Sequence, residues 1–152
     1  MMVDLIKAMF SDFYQQIDYF EISQSYCPGN YDLSIHGKKF AGIAQRRIKN
    51  GIVVSIYLSV TGDQEARGEL IADFYKQGLG DQTTTIAYPD VDPKCMANLS
   101  ELLETPFTVA DVIERLSLTL RQIGFTIENT TANPELRVAF ERIYEGMQAQ
   151  IR

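Results

Sequence analysis

Within SYCPGNYDLSIHGKKFAG, residues 25–42, a thiol at Cys27 precedes a Pro28-Gly29 turn, a short alternating segment and the adjacent Lys38 and Lys39. Cys27 is the strongest nucleophile of this stretch at neutral pH, because even an ordinary thiol is partly thiolate there. Cations or backbone N–H groups beside it would increase that fraction. Pro28-Gly29 forces a bend that can turn amides towards sulfur, and Gly37 permits the chain to reverse so that the lysines return to the cysteine. Without that reversal a five-residue strand would hold them ~17 Å apart. The competing reading of Cys27 is a small buried hydrophobe, and that of the lysines is a solvated basic strand.

Residues flanking the cysteine and lysines extend the candidate site. Lys38 and Lys39 point to opposite faces of a regular strand, and Lys39 would share its face with Ala41, Ile43, Gln45 and Arg47. Small Ala41 beside Gly42 would let a ligand approach the backbone, which favours Lys39 as the lysine that bonds an acyl carbonyl. Asp32 alternates with His36, which it would orient unless it only holds the turn through its side chain. His36 is the chain's single histidine and a secondary candidate for a base. Cys95, next to Lys94, reads as structural.

The elements that must position these residues follow from periodicity. Ile6, Phe10, Phe13 and Ile17 predict a helix over residues 3–17, followed by a short strand over 19–22. Tyr31, Leu33 and Ile35 alternate with polar residues up to Gly37. A strand from Lys39 to Lys49, an Asn50-Gly51 turn and an alternating strand from Ile52 to Val60 predict an antiparallel meander. A helix over 64–75 would pack through Ala66, Leu70, Ile71 and Phe74, with a loop from Gly78 and a surface connection over 83–93. A short helix over 98–103 precedes a Thr108/Asp111 capping pair and a periodic helix containing Val109, Val112, Ile113, Leu116, Leu120 and Ile123. Phe125–Glu128 is a brief strand or an extended linker. Pro134 then opens a last helix with a stripe of Leu136, Phe140, Ile143, Tyr144, Met147 and Ile151. The expected fold class is therefore α/β (α+β), a mixed or antiparallel sheet with flanking helices.

Composition bounds the function. The 152 residues suit one hydrophobic core, and 45 % of them are hydrophobic. No apolar run is long enough to cross a bilayer, and the N-terminal residues lack a cleavable leader pattern, so a cytoplasmic protein with two free thiols is expected. One histidine and dispersed carboxylates predict no metal site. A net charge of −6 argues against nucleic acid, yet Lys38, Lys39, Arg46, Arg47 and Lys49 cluster without an acid between them. Removing those five charges from −6 leaves −11 on the rest. Such a basic edge would attract an acidic protein surface.

The runs SYCPGNYDLSIHGKKFAGIAQRR, IVVSIYL, PKCMANLSELL and TVADV resemble the C-terminal half of the octanoyltransferase and lipoate-ligase superfamily. The similarity is greatest to its cysteine-dependent amidotransferases and covers nearly the whole chain. The resemblance implies a partial class II synthetase-like lipoate-ligase/octanoyltransferase fold, with residues 1–152 forming a truncated C-terminal part of the catalytic domain. It implies Cys27 as the acyl-accepting nucleophile, Lys39 as the acyl-carbonyl contact, and a substrate site extending over Gly29, Asp32, Ala41, Gly42 and Gln45. No cofactor is implied, since the octanoyl or lipoyl group is the substrate. The implied partners are the glycine-cleavage H protein and the lipoyl domains of dehydrogenase E2 subunits, docked at Arg46, Arg47 and Lys49. Because complete members are about twice as long, a complementing N-terminal half or a homodimer joined at an open sheet edge is also expected. The alternatives are a non-catalytic remnant that binds carrier domains and an ATP-dependent lipoate-protein ligase. Gly78-Leu79-Gly80 alone is a weak phosphate-loop signal for the latter.

Overall fold

A computed structural model describes residues 2–80, 83–128 and 134–150. Helix α1 (Met2–Met9) runs into a 3₁₀ turn over Ser11–Gln16, in place of the continuous helix that the 3–17 periodicity predicts. The break falls at Phe10, whose ψ of 46° leaves the helical range. It brings both Phe10 and Phe13 edge-on to Phe107, with ring centroids 5.7 and 6.5 Å away. Arg115 donates to the Met9 carbonyl at the end of α1 and lies over the Phe10 and Phe107 rings. Burial of these rings therefore outweighs one further turn of α-helix.

Four antiparallel strands follow in the order β1 (Asp18–Tyr19), β2 (Leu33–Ile35), β3 (Lys38–Ile48) and β4 (Gly51–Leu58). The meander and its flanking helices form a mixed α+β fold; an isolated parallel bridge between Lys39 and Met96 adds the one described pairing of the other sense. At the β3–β4 hairpin Ile48 pairs with Gly51, so Lys49 and Asn50 form the turn and Lys49 takes the positive φ of 52°. The positive-φ position thus falls one residue earlier than an Asn-Gly turn predicts.

Helix α2 (Gln64–Leu79) is capped by Asp63, whose carboxylate accepts from the Ala66 N–H. It packs through Gly68 onto Pro93 and Met96, while Leu70 and Phe74 are exposed. The expected Leu/Phe stripe is thus not the packed face: Gly68 alone lets the helix approach the Pro93 backbone closely. Gly78 lies inside this helix. A 3₁₀ turn over Pro93–Cys95 leads to α3 (Leu99–Leu102) and α4 (Val109–Gln122). Both helices begin with capping boxes, at Asn98/Glu101 and Thr108/Asp111.

The core gathers Ile6, Phe10 and Ile17 with Leu33, Ile35, Phe40 and Ala41 of the sheet, and Leu99, Leu103, Phe107 and Val112 from the C-terminal helices. In α4, Val112 is buried and Leu116 packs on the core, but Val109, Ile113 and, just past the helix end, Ile123 are exposed. Residues 125–128 form no strand. The last helix, α5 (Pro134–Gln150), begins at Pro134 as its sequence predicts, yet Phe140, Ile143, Tyr144 and Met147 are exposed rather than buried. The Leu136 and Ile151 positions of that stripe lie outside the described side chains.

Candidate functional site

A one-residue bulge decides what faces the cysteine. Leu33 pairs with Ala41 and Ser34 with Lys39, so Phe40 is the extra residue on β3. The bulge shifts the alternation by one residue. A Cβ on Gly42 would lie 3.6 Å from Lys39 Cε and 3.7 Å from its Nζ, so Lys39 shares its face with Gly42. Ala41, by contrast, is fully buried in the core on the other face. The expected Lys39–Ala41–Ile43–Gln45–Arg47 row is corrected accordingly.

Lys39 is buried although it carries a charge, and three acceptors surround its ammonium. Nζ is 2.8 Å from Asp32 Oδ1 and 3.1 Å from Ser25 Oγ, and it also donates to the Cys27 carbonyl. Its three N–H bonds are therefore all engaged. Asp32 is 1 % exposed, and its other oxygen accepts from the backbone N–H of Ile22 at 3.2 Å and of Gly29 at 3.1 Å. A single carboxylate thus joins both ends of the Cys27 loop to the strand lysine. A buried ion pair is tolerated where its remaining hydrogen-bonding capacity is filled, as it is here.

This arrangement refines several expectations. The Gly29 amide is held by Asp32 and not turned towards sulfur. Asp32 serves the loop and Lys39, while His36 sits exposed in the β2–β3 turn with φ 50°. Lys39 reaches the cysteine through the Cys27 carbonyl oxygen.

Cys27 is exposed and lines a cavity of about 400 Å³ with a mainly apolar wall. That volume lies in the usual range for small-molecule sites. Lys39, Asp32, Gly29 and Gly42 share its lining with Tyr26, Ala44, Tyr57 and Met96. The structure therefore brings together Cys27, Gly29, Asp32, Lys39 and Gly42. Gln45 is exposed, outside the cavity lining, and turns its amide to the Arg47 guanidinium, 2.7 Å from Nε. Arg46, Arg47 and Lys49 lie exposed towards the hairpin tip.

Two residues that the motif does not single out complete the wall. Tyr57 stands opposite Gly42 in the β3–β4 register, and its hydroxyl accepts from Gln64 Nε2 and Arg67 Nη1, both at 3.3 Å. The only advance signal was the alternation that sets Tyr57 and Ser55 against the apolar face of β4. Burial resists ionisation of the Tyr57 phenol, but the Tyr26 hydroxyl and the Arg67 guanidinium outweigh it and hold the phenol below its ordinary value. Burial and then Tyr57 push the Tyr26 phenol up. The Cys95 thiol is also pushed up, by burial and then by Asp92, which disfavours its thiolate. Among the described residues, no group of three or more His, Cys, Asp or Glu side chains is placed to hold a metal ion, and no helix is long and apolar enough to cross a membrane.

The family model described as lipoyl protein ligase A/B catalytic domain matches residues 1–121. An octanoyl-[GcvH]:protein N-octanoyltransferase of Oceanobacillus iheyensis is 49 % identical over 146 residues, covering 96 % of this chain and 52 % of that protein. The protein of the same description from Macrococcus caseolyticus is 44 % identical, over 96 % of this chain and 53 % of its own length. A lipoyl-[GcvH]:protein N-lipoyltransferase of Listeria monocytogenes is 43 % identical over 149 residues, covering 98 % and 54 %. The chain spans about half the length of the curated relatives it matches. With the family model matching most of its residues, this chain belongs to the lipoyl protein ligase A/B catalytic-domain family.

Proposed function

We propose that this chain carries the nucleophile-bearing part of an octanoyl or lipoyl amidotransferase, in which Cys27 becomes acylated. The observation that carries the reading is an exposed Cys27 at an apolar cavity whose wall also contains a buried, hydrogen-bonded lysine. The thiolate attacks the acyl amide of a modified lysine on a glycine-cleavage H protein, forming an S-acyl-Cys27 thioester and releasing that lysine. A lysine of a dehydrogenase E2 lipoyl domain then attacks the thioester and takes the acyl group. Lys39 stabilises negative charge on the carbonyl oxygen in both steps by exchanging its bond to the Cys27 carbonyl for one to the substrate. Gly42 leaves room over that ammonium for the acyl group.

Arg46, Arg47 and Lys49 project from the hairpin and suit an acidic carrier domain. The outer edge of β4, unpaired among the described strands, suits a strand from a complementing half of the catalytic domain or from a second copy. Light scattering at micromolar concentration tests the second copy: a species of 17 kDa alone excludes it.

Intact-mass measurement after incubation with octanoylated carrier protein tests the chemistry. The expected product is one hydroxylamine-labile octanoyl group on Cys27, absent in Cys27→Ala with the fold retained. Carrier binding without an adduct would leave a binding role and remove the enzymatic one. A requirement for ATP and free octanoate would instead place the chain among the ligases.

A further inference from the structure

Breaking an amide with a thiolate leaves a demanding step, because the departing lysine nitrogen must be protonated. The ionisable residues lining the cavity are Tyr26, Cys27, Asp32, Lys39 and Tyr57. Asp32 is committed to Lys39 and to two backbone N–H groups. Lys39 bonds Asp32 and Ser25, and in the reading above its remaining bond goes from the Cys27 carbonyl to the acyl oxygen. Cys27 is the nucleophile, which leaves the two phenols.

Their surroundings separate them. Hydrogen bonds from Gln64 and Arg67 run into the Tyr57 oxygen, and the Tyr26 hydroxyl also interacts with it. Donors around that oxygen also stabilise the phenolate left once the proton has gone. Tyr26 is held in its protonated form by burial and by Tyr57. Tyr57 faces Gly42 across the β3–β4 ladder, and Gly42 lies over the Lys39–Asp32 pair, so the Tyr57 ring borders the space that the acyl-transfer reading gives to the acyl group. Despite its burial the Tyr57 phenol is held below its ordinary value by Tyr26 and Arg67, so it gives up a proton to a lysine amine more readily than an ordinary phenol does.

We propose that the Tyr57 phenol donates the proton to the departing lysine amine and recovers one from the incoming amine. The inference rests on the acyl-transfer reading above. In the first half-reaction the Cys27 thiolate forms the C–S bond, the amide C–N bond breaks, and the Tyr57 proton moves to nitrogen, leaving S-acyl-Cys27, a phenolate and a neutral amine. In the second, the incoming neutral amine forms the new C–N bond and passes a proton to the phenolate as the C–S bond breaks. Cys27 then returns as thiolate and Tyr57 as phenol, so the cycle closes without a co-reactant.

Tyr57→Phe in a Cys95→Ala background tests this with two donors: an octanoylated carrier lysine and p-nitrophenyl octanoate, whose leaving group departs without a proton. The expected result is Cys27 acylation slowed about 100-fold with the amide donor and unchanged with the ester. Arg67→Gln, which leaves the ring in place, should show the same selectivity to a smaller degree. Equal slowing with both donors, or no slowing with either, overturns the assignment while leaving the acyl-transfer reading intact. Absence of any Cys27 adduct from the amide donor in the unsubstituted chain overturns that reading, and the inference with it.

Discussion

Removing the Asp32 carboxylate should expose how the reactive loop is held. Its attraction to Lys39 at 2.8 Å is about 6 kcal/mol at an effective dielectric of about 20, and most of this offsets the desolvation of both charges. The measurable quantity is the asymmetry between intact and half-removed pairs. Asp32→Ala leaves a buried ammonium and frees the Ile22 and Gly29 N–H groups, so it should cost about 3–5 kcal/mol. Lys39→Met leaves the carboxylate with its two backbone donors and should cost less, about 2–3 kcal/mol. The double substitution should cost little more than Asp32→Ala alone, because the second change removes the charge that the first left unpaired. Urea unfolding of the four chains closes the cycle, read from midpoints at constant slope. A coupling energy below about 1 kcal/mol, the range of exposed pairs, would refute the claim that this pair organises the loop.

Further expectations follow from local geometry. Gly68→Ala gains about 1 kcal/mol of helix propensity but places a Cβ 2.7 Å from Pro93 Cα, and overpacking of about 1–3 kcal/mol should make the net change destabilising. A raised unfolding midpoint would show that α2 can shift freely. Thr108→Ala should cost about 1 kcal/mol by removing the cap of α4. The Thr108 hydrogen bonds hold the Asp111 carboxyl below its ordinary 3.8, so their contribution is fully present above that pH and is lost as pH falls through the depressed value. The gap between the melting temperatures of the two chains should therefore be widest at pH 7 and narrow in acid, where the cap bond to the Asp111 N–H persists and the bond to the carboxylate is lost. Replacing Arg46, Arg47 and Lys49 with glutamine should weaken carrier-protein binding and flatten its salt dependence; titrations at two ionic strengths that match the unsubstituted chain would exclude docking at the hairpin.

Local signals fixed much of this molecule in advance. The alternation around Leu33 and Ile35, the long hairpin, the Asn98 and Thr108 helix starts and the Pro134 helix start were all legible, because each rests on neighbours only a few residues apart. That the chain reverses to bring Lys39 back to the Cys27 loop was likewise legible from residue types and spacing. Which residues shared their face was not. One extra residue at Phe40 inverts the pleat, sends Ala41 into the core and brings Gly42 over Lys39, and a bulge of that kind has no reliable local signature. Burial shows the same limit: apolar periodicity marked faces on α2, α4 and α5, but it does not say whether anything covers them, and Gly68 decided how α2 packs. The Asp32–Lys39 pair and the Tyr57 wall depend on contacts between distant segments. Sequence determines which groups can react and how each short segment prefers to fold; only tertiary structure decides which groups meet, because strand register and close packing are set by the whole chain at once.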